Sequence, residues 1–549
     1  MPPWSERPAR SAWLPRRGEW LLPGASGLLL AASYPPLHLL FPPVVGLVPF
    51  AIWVARLPEG PGGAGSAARG GFVLGVVMHG LLLHWIVPAL AWVTGWAVPV
   101  FLAVLAILAG LTALFGASLH RAIHRLSMPM WLALPVTWTG VEWLQAHLPG
   151  ALAFPWLGLG TSLTSLPETV GVAEWVGARG VTFWLALANG LAATALLSAG
   201  GAQRRRTTAV VALVALVGVL AVPTGWGVHR ARTLETRPAA RIALISTSVS
   251  AEMRSDLVRW HEEATVVLER LLGEVPVDAV DLIVLPEGML VGEPSIGNPP
   301  GEAAGSRSGD PAGAASLADR LRAQSERIGA PILVGAYLPE GRDGGRNSAV
   351  LIGASGPASY RYDKQRLVPL VETSPWAWSA LGTGLGSARF QPGIGRATLS
   401  IAGVALGPLI CFEAIFASEA RAARAAGADV LVNLTNDGWF GIAGATSRVA
   451  LHQHAAHIIM RAIETRAGAA RVANVGFTFV VDPMGRTHAA GDPGAAGVHV
   501  ATVRTTDMPT FHTRYGDLLG PASGLAVLVL MLGAIFRTSP SLDPRRTPM

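Results

Sequence analysis

Over the first 226 positions apolar residues come in long blocks with few charges between them, and then the pattern changes. A helix crosses the hydrocarbon core of a bilayer with about 20 apolar residues, within a range of roughly 17–25. On that measure the sequence predicts membrane spans near 20–34, 37–55, 71–92, 97–119, 129–147, 172–199 and 208–226, and one more near 519–536. The first is short and interrupted by Pro23, and the sixth carries Glu174 and Arg179 near its start. From 238 to 515 short β-type runs alternate with helical stretches, the pattern of an α/β domain. The predicted strands are Arg241–Ser246, Leu282–Leu285, Ile332–Gly335, Ala349–Ile352, Val404–Cys411, Val430–Leu434 and Val472–Val481. The predicted helices are Met253–Leu272, Ala315–Ile328, Ser418–Ala426 and one around Thr446–Ala467. Gly292–Ala314, rich in Gly, Pro and Ser, reads as a loop. The chain therefore divides into a seven-span bundle (1–237), a globular domain (238–515), and a last span with its tail (516–549).

Charge adds an orientation. Arg7, Arg10, Arg16 and Arg17 precede the first span, and Arg56 and Arg69 follow the second. Arg121 and Arg125 follow the fourth, Arg204–Arg206 the sixth, and Arg537, Arg545 and Arg546 the last. The loops after spans one, three and five hold no Lys or Arg. Basic loops stay on the cytoplasmic side, so eight spans place both termini inside and the 238–515 domain outside. A cleaved signal peptide ending at Ala31-Ala32-Ser33 is the competing reading, but its removal would break this alternation. Only 14% of residues are charged, against about 25% in soluble proteins. The net charge of +7 could indicate nucleic-acid binding, yet the basic residues form no aromatic-interleaved patch, and topology accounts for them.

Two rare residues change the picture further. The single cysteine, Cys411, excludes a disulfide within the chain and any Cys-based zinc site. Of the 42 Lys and Arg residues only Lys364 is lysine, at a position that calls for a compact ammonium where a planar guanidinium will not serve. Taken one at a time, Cys411 could fill an apolar strand, Glu287 could face water in a turn, and Lys364 could be a surface lysine. If the Cys411 strand continues, Glu413 shares its face. If it stops, the thiol lies at the C-terminal end of a strand, where α/β sheets commonly place sites. Together the types make a covalent acyl-transfer set. A thiol needs a base or a nearby cation, a carboxylate can take its proton and return it, and an ammonium can hold the oxyanion.

The stretches Leu285-Pro-Glu287, Tyr362-Asp-Lys364 with Leu367-Val-Pro-Leu-Val-Glu372, and Ile410-Cys-Phe-Glu413 resemble the Glu–Lys–Cys signature of the nitrilase, or carbon–nitrogen hydrolase, superfamily. With Phe154-Pro-Trp-Leu-Gly-Leu-Gly160, Asn433-Leu-Thr-Asn-Asp-Gly-Trp-Phe440 and Arg514-Tyr-Gly-Asp517, nearly the whole layout is similar to the apolipoprotein N-acyltransferase family. The resemblance implies an αββα sandwich in a multi-span protein of a bacterial inner membrane, with the catalytic domain on the outer side. It implies Cys411 as nucleophile, Glu287 as base, Lys364 as oxyanion partner, Glu372 and Glu413 as pocket-ordering groups, and Trp376, Trp439 and Phe440 at a lipid entrance. The acyl donor would be a phospholipid, the acceptor an apolipoprotein amine, and the chain a monomer with no cofactor, metal or nucleic acid. Two departures stand out: Phe412 where the family commonly has Tyr, and Ser246–Met253 without the usual Gln-containing, Trp-ending pattern. Two other readings are a membrane-anchored amidase that uses water, and a transporter or scaffold with a non-catalytic domain. His452 and His454 lie on different helix faces, so no metal pair is expected. Asn436-Asp437-Gly438 reads as a turn. Glu142, Glu174 and His84 are polar groups within spans, and the sequence assigns them no role.

Overall fold

The computed structural model describes residues 20–535 apart from 92–93, 200–202, 250–256, 292–316, 341–343, 354–359, 370, 374–389 and 442–444. Four described helices, Pro61–Leu83, Ala97–Leu126, Ala173–Ser198 and Arg205–Thr233, are long and apolar enough to cross a membrane. Leu21–Ser33, Pro42–Ala55 and Leu519–Gly533 are shorter apolar helices, and Met130–Ala146 has 17 residues. Helices in lipid gain little from hydrophobic association, so small residues set how closely they approach. A Cβ on Gly71 would come within 2.2 Å of the Thr112 carbonyl, and one on Gly116 within 2.2 Å of the Ala67 carbonyl. Alanine at either site would push these two helices apart. On Arg205–Thr233 the side chains of Val210, Val211, Leu213, Val214 and Val217 face outward, as suits a surface solvated by hydrocarbon.

Glu142, Glu174 and His84 each have hydrogen-bond partners inside the bundle. Glu142 accepts from Trp138 Nε1 at 3.0 Å, the Leu159 N–H at 2.8 Å and Thr182 Oγ1 at 2.9 Å. Those bonds fasten the Phe154–Gly160 segment to two helices. Glu174 accepts from Trp226 Nε1 at 3.0 Å, Arg230 at 3.2 Å and Arg466 at 2.9 Å. His84 Nδ1 lies 2.8 Å from the Leu81 carbonyl, a bond within its own turn.

The globular part contains β1 (Arg237–Ser246), β2 (Leu282–Val284), β3 (Leu290–Val291), β4 (Ile332–Glu340), β5 (Gly344–Ile352), β6 (Tyr360–Asp363) and β7 (Leu399–Ile401). It continues with β8 (Val404–Ile410), β9 (Val430–Thr435), β10 (Gly468–Ala473), β11 (Thr478–Val481), β12 (Thr487–Gly491) and β13 (Gly497–Thr505). One sheet has the order β13-β1-β2-β4-β5-β6 with β3 beside β4, and the other β12-β11-β10-β9-β8-β7. Strands β1, β2 and β4 run parallel, as do β8, β9 and β10. Parallel strands are covered on both faces and read as unbroken apolar runs. On β1, Ile242 and Leu244 pack against Leu406, Val430 and Val432 of the second sheet. Its alternate residues Ala243 and Ile245 pack under helices Leu257–Glu274 and Leu317–Ile328. On the outer face of the second sheet, Leu409 and Leu431 meet helices Ala417–Ala425 and Ala445–Thr465. The layers are helix, sheet, sheet, helix.

Three expectations change in detail. The predicted strand Val472–Val481 is a hairpin of β10 and β11, because Gly476 takes φ 126° between them. The strand leading to Cys411 stops at Ile410. Strands β3, β6, β7, β12 and β13 are not among the predicted ones; β12 is largely exposed, whereas in β13 Val498 and Val500 alternate with His499, a signal the sequence prediction misses.

The two parts share one core. Phe412, Ile415, Met460 and Ile463 of the α/β domain pack in the same cluster as Trp85, Leu134, Trp156 and Leu163 of the bundle. Trp85 Nε1 and Trp156 Nε1 both donate to Gln453 Oε1, at 3.1 and 2.8 Å, and Gln453 returns a bond to the Leu82 carbonyl at 3.1 Å.

Candidate active site

The ends of parallel strands deliver most of the site. Glu287 follows β2 through Leu285 and Pro286, Cys411 follows β8 directly, Asn436 follows β9, and Lys364 follows β6. The Glu287 turn closes only because two glycines allow it. Gly288 takes φ 69°, and a Cβ on Gly335 of β4 would come within 2.4 Å of the Glu287 Cα.

Lys364 is 1% exposed and Glu287 3%, so their charges must be paired inside the protein. Lys364 Nζ lies 3.1 Å from Glu287 Oε1 and 2.9 Å from Glu372 Oε1. Asn347 Nδ2 donates to the same two oxygens, at 2.7 Å each. The remaining oxygens take backbone donors: Glu287 Oε2 from Asn436 N–H at 3.0 Å, and Glu372 Oε2 from Val368 N–H at 2.6 Å. Burial would push the Lys364 ammonium down, but Glu287 and Glu372 outweigh it and hold the group well above the ordinary lysine range. It stays a cation through every physiological pH.

Cys411 sits in the left-handed region, with φ 50°, a conformation that costs a non-glycine residue about 1–3 kcal/mol unless its surroundings impose it. The surroundings do so from both sides. The Ile410 N–H donates to Glu413 Oε2 at 2.7 Å, while the Cys411 carbonyl faces His454 Nε2 at 3.2 Å and Asn433 Nδ2 at 3.5 Å. The residue is half-buried. Burial pushes its thiol well up, the Glu287 carboxylate adds to this, and the Lys364 ammonium pulls the other way. The sulfur therefore rests protonated, within reach of the charges of both groups. That state suits a nucleophile that loses its proton only when it attacks.

Glu413 does not share the face of a strand with Cys411, since β8 has ended. Its Oε1 accepts from Tyr362 Oη at 2.9 Å, Gln365 N–H at 2.7 Å and Arg366 N–H at 3.3 Å. It thus ties the Lys364 loop to the Cys411 turn. Burial raises its pKa above the usual carboxylate range, although the Ile410 and Gln365 N–H groups pull it back. Gln in its place presents an NH₂ group to donors on one side. Glu413→Gln is expected to lower unfolding stability by about 1–3 kcal/mol, read by thermal melting in detergent. An unchanged melting temperature would count against this bracing role.

Glu287, Lys364, Glu372 and Cys411 thus come together. Trp439 and Phe440 lie in the 3₁₀ turn Asp437–Phe440. Phe440 packs edge-on against Trp85 of the bundle, with ring centroids 4.9 Å apart. Trp376 lies outside the described residues. The two histidines diverge: His452 Nδ1 bonds the Arg448 carbonyl on its own helix, whereas His454 turns into the site. Sequence reasoning missed Asn347, Asn436, Asp437, His454 and Arg471. A signal was present in Asn433-Leu-Thr-Asn-Asp437, a polar cluster closing an apolar strand.

The geometry can be set beside known proteins. Residues 26–191 match the family described as Apolipoprotein N-acyltransferase N-terminal domain, and residues 241–511 match Carbon-nitrogen hydrolase. An apolipoprotein N-acyltransferase from Geobacter metallireducens is 30% identical over 519 residues, covering 89% of this chain and 92% of its own. One from Rhodopseudomonas palustris is 29% identical and covers 90% of each chain. A crystal structure of an amidase from Nesterenkonia sp. is 20% identical, with a TM-score of 0.32, covering 51% of this chain and 95% of its own. The match to the Geobacter protein runs through both the bundle and the α/β domain, and this chain belongs to the apolipoprotein N-acyltransferase family.

Proposed function

We propose that this chain takes a fatty acyl group from a phospholipid onto Cys411 and passes it to the N-terminal amine of a diacylglyceryl-cysteine on an apolipoprotein. The observation that carries the assignment of roles is the sealed cluster in which Lys364 Nζ is shared by Glu287 and Glu372, with both the Lys364 and Glu287 charges acting on the Cys411 sulfur. In the first step the sulfur attacks the ester carbonyl while Glu287 takes the thiol proton. Lys364 stabilises the oxyanion, the C–O bond breaks, and the departing lysophospholipid oxygen receives that proton. In the second step the amine attacks the thioester carbonyl, Glu287 takes an N–H proton, and the C–S bond breaks. The proton returns to sulfur. One oxyanion donor of this kind is worth about 10²–10³ in rate.

In this reading the chain crosses a bacterial inner membrane eight times, with 1–237 and 516–549 forming the membrane part and 238–515 on the periplasmic side. The distribution of Arg along the loops supports that orientation. Phe440, against Trp85 and Trp156 of the bundle, and its neighbour Trp439 are assigned to the lipid side of the site, with Trp376 joining them from the sequence pattern. The chain works as a monomer in this scheme.

The deciding assay incubates purified protein with phospholipid and a diacylglyceryl-cysteine peptide, and reads the peptide by mass spectrometry. The expected result is a mass gain of one acyl chain, with lysophospholipid in equal amount. Free fatty acid with an unmodified peptide would instead identify a water-using amidase.

A further inference from the structure

Behind the nucleophile lies a buried polar chain that the two-step scheme does not use. Asp437, His454 and Arg471 are each at most 1% exposed. Arg471 Nη2 donates to Asp437 Oδ2 at 2.5 Å, and His454 Nδ1 lies 2.8 Å from Asp437 Oδ1. Burial would raise the Asp437 carboxyl, but Arg471 and His454 hold it down at about 2, so it remains an anion and a fixed acceptor. Arg471 also donates to Asn433 Oδ1, and Asn433 Nδ2 points at the Leu409 and Cys411 carbonyls. The far edge of the His454 ring reaches the Cys411 carbonyl at 3.2 Å. Its face is covered by Trp156 of the bundle, stacked with centroids 5.4 Å apart and an interplanar angle of 27°. Nδ1 also lies 3.2 Å from Arg471 Nη2, and Nε2 is the ring nitrogen that faces the Cys411 carbonyl oxygen.

This arrangement resolves an oddity of the Cys411 turn. The residue holds φ 50°, and rotating its carbonyl away would relax the backbone and swing the sulfur off its line of attack. The Ile410 side of the turn is fixed by Glu413, but among the described residues the Cys411 carbonyl meets only the His454 side chain and, at longer range, that of Asn433. We infer that His454, oriented by Asp437 and clamped by Trp156, is a positioning residue that holds the Cys411 carbonyl and thereby aims the sulfur at the acyl carbonyl. It acts through the backbone and touches neither substrate. The inference rests on Cys411 being the nucleophile.

The test compares two replacements of similar length, His454→Gln, which keeps an N–H donor, and His454→Met, which does not. Both are measured in full-length enzyme by single-turnover transfer of a labelled acyl chain from phospholipid to the protein, per mole of folded material. A misplacement of about 1 Å in a reacting group can cost about 100-fold. His454→Met is therefore expected to acylate about 100-fold more slowly, with the phospholipid concentration for half-maximal rate changed less than about threefold. His454→Gln should stay within about tenfold of the wild type. Equal rates for the two variants, whether both are fast or both slow, would overturn the inference. If His454→Met cannot be recovered folded, His454→Gln carries the test alone, and a loss beyond tenfold in a folded Gln variant overturns it. A wild-type enzyme that takes up no label would indict Cys411 itself, which separates the two failures.

Discussion

Cys411→Ala is expected to form no hydroxylamine-sensitive acyl adduct and to lose about 10⁴–10⁶ in turnover, the scale on which enzymes lose a covalent nucleophile. No second cysteine can substitute, and the other groups of the cluster are carboxylates, an ammonium and amides. Stability should barely move, because the side chain removed is small and half-buried and the bonds that fix the turn belong to Ile410, Glu413 and His454. The comparison therefore isolates chemistry from folding. An Ala variant that still acquires the label on the protein would remove the thioester from the mechanism. A related expectation concerns pH. Since burial and the Glu287 carboxylate keep the thiol well above its ordinary value, alkylation of the resting enzyme by iodoacetamide should be slow at neutral pH. It should climb as the pH is raised, because the thiolate fraction grows.

The second large effect belongs to Lys364. Its ammonium is the one cation bonded to both Glu287 and Glu372 among the described contacts. Lys364→Met leaves two buried carboxylates facing each other across Asn347. Removing one partner of a buried ion pair typically costs about 3–5 kcal/mol, and the proposed oxyanion donor goes with it. The expected outcome is a strong fall in melting temperature together with loss of adduct formation. Adding Glu372→Gln should recover part of the stability, since one stranded charge is removed, while activity stays absent. A double variant no more stable than the single one would show that the carboxylates are not the source of the loss. Arg should not replace Lys364, because a planar guanidinium cannot place one nitrogen between the two oxygens in the same enclosed space.

The parts of the site that could be read from the chain are those whose chemistry is rare. A sole cysteine, a sole lysine and a Pro-Glu-Gly closing an apolar strand each stand out locally. The α/β layering was legible for a similar reason: β2, β4, β8 and β9 are covered on both faces, so their sequences are almost continuously apolar. What escaped depends on partners far away in sequence. Asn347 matters because it meets both Glu287 and Glu372. Asn436 matters for a backbone N–H aimed at Glu287, which no side-chain pattern announces. His454 was set aside when paired with His452 as a metal site, whereas its partners are Asp437 and the Cys411 carbonyl. Glu142 and Glu174, to which the sequence assigns no role, hold the Phe154–Gly160 segment and Arg466 in place. Phe412 is a further case. Where the family commonly has a hydroxyl, this ring is buried beside Phe416, with centroids 5.3 Å apart.

Phe412 also carries a mechanical implication. Phe412, next to Cys411, belongs to the hydrophobic cluster that holds Trp85, Trp156 and Leu163, and Arg466 anchors the far end of the same helix layer to Glu174. Among the described residues, no hinge separates the Cys411 sulfur from the helices that Phe412 packs with. The sulfur's elevation above those helices is then a built-in constant of the molecule, set by packing and not by a flexible tether. On the proposed function, each lipid-borne substrate must bring its reactive group to that one level, so selection would depend on how far a group projects from its anchor as well as on what the group is.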